Sequence, residues 1–450
     1  MGLRRERRQK PVDQRPYVGD YGRRLEGPAD FTTVAIAMVL LALAVGFVVG
    51  FLVFALMNLS TWLTELVWDD LGPALGVPWF SLVVCMLGGL LIGVWTHFTG
   101  DTVKPLEEVM AEFKATGSYH TNGAGKAVVS FLLPLVFGGS VGFEAGLTGL
   151  ITAGCCWIRD KLKAAGLREA SVADVTIAAT FAAIFGTPFA GIVAGAESSP
   201  RDGDDDLSEP DVNDYNLRKA PKIVLYTSAA IGAFGGISAF SHLFGAAAGL
   251  PRFDSIQGGA VDLLWAIPCL LVAYAMVWLY HGSRFGFSRL SARLGDGAAA
   301  TIVKPVIAGV VMGALAMAFP LVLFPGEEQA HELMQTWQTW TAVALIATGL
   351  LKAVVTPMCL NMGWMGGSFF PSIFAGVACG YGIAALTGAD PMLAVTVVAS
   401  AFLAGVTRKP LLSLAILVLC FPIDGILWSG LAAIIGGSLP VARFLLDESE

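Results

Sequence analysis

Long apolar runs alternate along this chain with short, glycine-interrupted ones, and few charged positions separate them. Phe31–Leu59 and Trp79–Phe98 are each long enough to cross a bilayer as a helix, which takes about 20 predominantly apolar residues. Lys126–Gly139 and Ala145–Ile158 are apolar but too short to cross, and glycines rather than a polar loop separate them. Ser171–Ala196 is long but broken at Gly186-Thr187-Pro188. The acidic stretch Glu197–Pro221, with Asp204-Asp205-Asp206, is the longest polar interruption. Ile223–Leu250, Val261–Leu279, Ile302–Phe324, Thr341–Met358, Phe369–Leu386, Met392–Val406, Leu411–Leu419 and Ile423–Leu439 follow it. Non-helical backbone at membrane depth is tolerated only where it is buried or lines a watery cavity. The pattern therefore predicts an all-α polytopic membrane protein whose broken and re-entrant helices build a transport pathway.

An internal repeat is visible. Gly138-Gly139-Ser140 opens GGSVGFEAG, and 228 residues later Gly366-Gly367-Ser368 opens GGSFFPSIFAG. Phe181–Pro188 (FAAIFGTP) resembles Phe402–Pro410 (FLAGVTRKP), with the prolines 222 residues apart. Two landmarks at nearly equal offsets define a repeat of about 31–196 and another of about 222–445, joined by the acidic loop 197–221. Residues 1–30 carry eight Lys and Arg, and Arg159–Arg168, Arg201–Lys222 and Arg284–Lys304 carry four each, whereas Ser60–Pro78 and Pro320–Trp340 carry none. By the positive-inside rule the first group is cytoplasmic. Phe31–Leu59 then runs outward and its counterpart Val261–Leu279 inward. These are inverted repeats, an arrangement that puts substrate at the midplane between the halves. Both termini are expected on the cytoplasmic side of the cell membrane.

Composition narrows the class. Of 450 residues, 55% are hydrophobic and 14% charged, against roughly 25% charged in ordinary soluble domains. That excludes a soluble multidomain enzyme, and the net charge of -7 excludes a nucleic-acid binder. The Arg-rich start lacks the apolar core of a signal peptide and is expected to stay as a cytoplasmic segment. The seven cysteines lie in apolar stretches and predict no disulfide framework, and the five histidines show no metal-ligand spacing. No cofactor or metal is expected, and no enzyme activity.

Four short sequences read as helix starts at membrane depth: Gly100–Pro105 (GDTVKP), Gly142–Gly146 (GFEAG), Gly366–Pro371 (GGSFFP) and Phe421–Gly425 (FPIDG). A helix N-terminus presents free N–H groups and roughly +0.5 of an elementary charge. Several converging there attract an anion without a full positive charge, so the ion can also leave. The competing explanation is a glycine packing surface. Glu144 is the sharpest residue, because no other acid lies between Glu112 and Arg159. Ionisable groups at membrane depth are functional candidates. Charged, Glu144 plugs an anion site; protonated, it swings away.

At this point a resemblance carries the reading further. Lys352–Gly380 resembles the CLC family of chloride channels and proton/anion exchangers, whose second-half signature G-x-F-x-P is matched by Gly367-Ser368-Phe369-Phe370-Pro371. FEAG, with Glu144, is similar to the family's gating-glutamate motif, and Phe185–Glu197 and Thr407–Leu417 are similar to two further segments. The resemblance implies that backbone N–H groups of Phe143, Glu144 and Ala145 and of Ser368, Phe369 and Phe370 bind the anion, with Glu144 as gate. It also implies that the Thr102 hydroxyl stands in for a serine ligand, and that the protein is a homodimer with one pathway per subunit. Departures are clear. Asp101 sits beside the expected path, FEAG lacks the motif's basic residue and proline, and the C-terminal tyrosine is absent, Ile423 or Asp424 falling near its place. The exchangers' inner glutamate falls at Ser198, beside Glu197, which is the candidate proton relay. No C-terminal regulatory domain is expected before Glu450.

The expectation is transport of a small monovalent anion, chloride foremost, by passive conduction. Proton-coupled exchange of chloride or fluoride is the alternative. A different class, an inverted-repeat carrier of cations or organic solutes using Glu144 and Asp101, is disfavoured because the glycine motifs precede their helices: helix N-termini hold anions and C-terminal ends hold cations.

Overall fold

In the computed structural model the described residues are 28–72, 76–100, 102–116, 118–121, 123–164, 172–198, 219–245, 250–257, 262–421 and 423–446. The basic segment up to residue 27, Asp101 and residues 199–218 of the acidic loop lie outside them. Among the described residues the chain is helical with no strand, and seven helices are long and apolar enough to cross a membrane.

The first half holds α1 (Pro28–Glu65), α2 (Phe80–Thr99), α3 (Leu106–Thr116), α4 (Ala124–Val136), α5 (Glu144–Ala164), α6 (Val172–Ile184) and α7 (Pro188–Ser198). The break between α6 and α7 has a local cause. Gly186 takes φ 62°, a left-handed conformation that glycine adopts without strain, and Pro188 begins the next helix where its missing N–H is not needed. The second half holds α8 (Lys219–Phe244), α9 (Ala266–Leu294), α10 (Ala298–Ala316), α11 (Glu327–Thr336), α12 (Ala342–Asn361), α13 (Phe369–Thr387), α14 (Pro391–Thr407), α15 (Pro410–Leu417) and α16 (Ile423–Ser438), followed by a last turn at Arg443–Leu446.

Two boundaries differ from the hydrophobic pattern. α9 runs past Leu279 to Leu294, carrying three arginines beyond the apolar run; Arg289 lays its guanidinium 3.9 Å from the Phe285 ring centroid. α10 ends at Ala316 rather than Phe324, because Pro320 opens a tight turn and Phe324 (φ 62°) and Gly326 (φ 106°) reverse the chain.

Counterpart helices of the two halves pack on each other. α2 packs on its counterpart α10, and α7 on its counterpart α15. Small residues allow the close approach: a Cβ on Gly89 or Gly309 would strike the carbonyl oxygen of Pro305 or Cys85. The α1–α8 pair is built likewise, with Gly46 and Gly50 against Ala229 and Ala233, and Gly232 against Leu43. α13 and α14 form the sheathed centre, buried over nearly their whole length, while α1 and α2 keep large apolar side chains such as Leu40, Phe47 and Leu91 outward.

A buried lysine braces the centre. Lys352 of α12 is fully buried, and its Nζ, which has three N–H donors at most, lies within reach of the carbonyls of Leu323 (2.9 Å), Phe324 (2.8 Å), Val322 (3.3 Å) and Leu321 (3.5 Å). The same loop donates from Phe324 N–H to Gly138 O (3.2 Å), so Lys352 fixes the chain against the root of the first re-entrant loop.

Candidate functional site

The two glycine motifs meet head to head. Gly142 and Gly367 exchange both backbone hydrogen bonds, 2.7 and 2.8 Å, in a single antiparallel bridge. α5 starts two residues after Gly142 and α13 two residues after Gly367, so both N-termini open on the same point. The first N–H groups of each helix have no intrahelical acceptor there. Ser140 and Thr356 pair their hydroxyls at 3.1 Å and lock the first loop to α12.

Glu144 fills this point. It is fully buried, and its Oε1 accepts the Phe369 N–H at 2.5 Å. Its own N–H also faces the carboxylate. Oε2 has no hydrogen-bond partner among the described residues. Both bridge glycines leave the room that the Glu144 carboxyl group fills: a Cβ on Gly142 or on Gly367 would collide with it, and the carboxyl would have to move. Phenyl rings close the surroundings. Phe143 meets Phe370 edge-on at 5.5 Å, and Phe185 stacks on Phe370 at 5.2 Å and on Phe369 at 5.8 Å. Aromatic edges carry the positive part of the ring quadrupole, so such a collar is compatible with an anion.

Of the residues singled out from the sequence, the structure gathers Phe143, Glu144, Ala145, Ser368, Phe369 and Phe370 at this junction. Thr102 is exposed and lines a water-sized cavity of about 10 Å³ with Trp95, Thr96, Ser130 and Met365, the last of these directly before Gly366-Gly367. Lys104 pairs with Glu112 (2.8 Å) and Glu108 (3.3 Å) on α3. Hydrogen bonding to Glu112 holds its ammonium above the ordinary lysine range. Asp101 and Pro422 lie outside the described residues. Asp424 is exposed and accepts the Ile256 N–H at 3.0 Å, so the fourth motif serves the loop 250–257. Glu197 lies in the last turn of α7, its carboxylate 3.5 Å from Lys409 Nζ and its carbonyl accepting from Lys114 Nζ at 2.8 Å. Among the described residues no cluster of His, Cys, Asp and Glu is arranged to hold a metal ion.

Sequence reasoning missed two side chains here. Phe185 belongs to the collar; it opens the family-like segment Phe185–Glu197 directly before Gly186-Thr187-Pro188, but nothing there gave its ring a role. Buried Tyr280 of α9 brings its phenol to the Ser368 hydroxyl, and nothing local in the sequence marked it.

Comparison with known proteins decides the family. The model of the family described as voltage gated chloride channel matches residues 88–439, most of the chain. The chain belongs to the voltage gated chloride channel family. Members of this family are transporters or channels, not enzymes, and this chain is a multi-pass membrane protein among them. The chain is 23% identical over 348 residues to YfeO of Escherichia fergusonii, an ion-transport candidate by its name, covering 75% of this chain and 77% of that protein. Solved structures share the fold. A slow cyanobacterial Cl-/H+ antiporter aligns at TM-score 0.68 and 17% identity, over 92% of this chain and 97% of that one. A CLC-type fluoride/proton antiporter aligns at 0.67 and 15%, over 91% and 96%. A eukaryotic CLC transporter aligns at 0.66 and 16%, over 93% of this chain and 75% of that one.

Proposed function

We propose that this chain moves small monovalent anions, chloride foremost, along a pathway gated by Glu144. The observation that carries the reading is the buried Glu144 carboxylate lying between two helix N-termini, bonded to the Phe369 N–H and unpartnered at Oε2. A carboxylate is itself a small anion, so the groups that hold it are those that hold a permeating ion when it withdraws. The ligands on this reading are the N–H groups of Phe143, Glu144, Ala145, Ser368, Phe369 and Phe370. The Thr102 hydroxyl is a further ligand on this reading. The protein works as a homodimer, each subunit with its own pathway and both termini in the cytoplasm.

Transport is passive on the first reading, because Glu197, the candidate inner relay, is paired with Lys409. The second reading is proton-coupled exchange, favoured by the fold shared with chloride/proton and fluoride/proton antiporters and by the unpartnered Oε2. Radiolabelled chloride efflux from proteoliposomes tests anion transport itself; absence of flux above protein-free vesicles contradicts it. Reversal potentials in planar bilayers under opposed chloride and pH gradients separate the two modes. A value at the chloride Nernst potential supports conduction, and one displaced by the proton gradient establishes exchange.

A further inference from the structure

Two buried threonines follow Glu144 along one side of α5. Thr148 and Thr152 are fully buried, lie one and two turns beyond the gate, and keep hydroxyls with no hydrogen-bond partner. A helical threonine ordinarily donates to the carbonyl four residues back, as Thr180 does to Thr176 (2.8 Å) and Thr407 to Leu403 (2.9 Å). Leaving a buried hydroxyl unpaired costs about 1–3 kcal/mol, so two in register call for a polar partner that water can supply. The Tyr119 hydroxyl approaches the same turn, 3.4 Å from where a Cβ on Gly149 would stand. Tyr119 is buried, but Lys104 Nζ sits 5.6 Å from its ring centroid, and Lys104 belongs to the solvent-reached cluster with Glu108 and Glu112. A line of hydroxyls thus leads from a surface cluster into the helix that begins at Glu144. From Glu144 to Thr152 is roughly 12 Å along the axis, at 1.5 Å per residue.

We propose that Tyr119, Thr152 and Thr148 form a proton route from the Lys104–Glu108–Glu112 cluster to Glu144. The proposal rests on the reading of Glu144 as a protonatable gate, and it bypasses Glu197. A proton taken up at the cluster passes by relay. Each hydroxyl oxygen accepts one proton and releases its own to the next oxygen, with water bridging the gaps, and the last proton binds Glu144 Oε2. No residue between is changed when the transfer is complete. The other ionisable groups whose fields reach Glu144 are Glu107 on α3 and Tyr280 on α9. Lys126 of α4 is exposed, and the described residues 175–184 of α6 carry no ionisable side chain.

The test is a stopped-flow pH jump on proteoliposomes loaded with chloride, reading the rate at which efflux rises. Thr148→Val with Thr152→Val keeps the side-chain shape and removes both hydroxyls. We expect activation at least tenfold slower than in the unmodified protein, and recovery to within twofold in the Thr148→Ser, Thr152→Ser pair. In a Glu144→Ala background, which has no gate to protonate, the valine pair changes efflux less than twofold. An unmodified activation rate in the valine pair, equal slowing in the serine pair, or equal slowing without Glu144 overturns the route. If Glu144→Ala alone keeps the normal pH response, it is the gate reading that fails.

Discussion

Glu144 is held by a backbone N–H, and this fixes which substitutions around it matter. On the proposed reading Ser368 binds the anion through its main-chain N–H, so Ser368→Ala is expected to change anion affinity less than threefold. Phe369→Pro removes the N–H that Glu144 Oε1 accepts and is expected to abolish anion binding, measured by titration calorimetry on protein that still elutes as a folded species. Normal affinity in folded Phe369→Pro would rule out an amide cradle. Gly367→Ala acts from the other side. Its methyl group takes the space of the Glu144 carboxyl, so the carboxylate cannot settle there. Faster efflux with a weakened pH response is expected; unchanged efflux in the liposome assay would mean that the carboxylate's resting place is not on the ion path.

Elements hold the residues in place through close helix contacts. Gly50→Leu in α1 would drive a side chain into the Ala233 backbone of α8, and overpacking of this kind costs about 1–3 kcal/mol. A lower thermal midpoint is the readout, with Gly235→Leu, where no neighbour stands nearby, as the contrast. α11 offers a pH test outside the membrane. Glu328, which accepts from Thr61 at 3.3 Å, has its carboxyl raised above the ordinary 4.5, first by lost hydration and then by Glu65 and Asp69. A raised carboxyl means that ionising Glu328 is harder in the folded protein, so its contribution to stability falls as pH rises from that ordinary value. Glu328→Gln is expected to raise the thermal midpoint slightly at neutral pH, and to make no difference well below the ordinary 4.5, where the carboxyl is protonated in both states. A neutral-pH midpoint lowered by the substitution would reverse the assignment. The elements were largely legible in the sequence, because apolar run length and glycine breaks are local properties. The GTP break, the short α4 and the start of α13 at Phe369 all follow from them. The ends of α9 and α10 were not, since one helix projects beyond its apolar run and the other yields to a proline turn.

Across the whole molecule, the inverted repeat does the work that no single motif can. It brings Gly142 to Gly367 across 225 residues, half the length of the chain, and so sets two ordinary helix starts against each other. The repeat and Glu144 could be read from spacing and from the isolation of one acid in apolar sequence. Phe185, Tyr280 and the placement of Thr102 could not, because each depends on which helices lie side by side. The central claim is that Glu144 competes with the permeating anion for that cradle. It is tested most directly by chloride efflux from proteoliposomes between pH 4.5 and 7.5, comparing the unmodified protein with Glu144→Ala. The account predicts efflux that rises as pH falls in the unmodified protein and fast, pH-independent efflux in Glu144→Ala; a Glu144→Ala protein with the unmodified pH profile would contradict it.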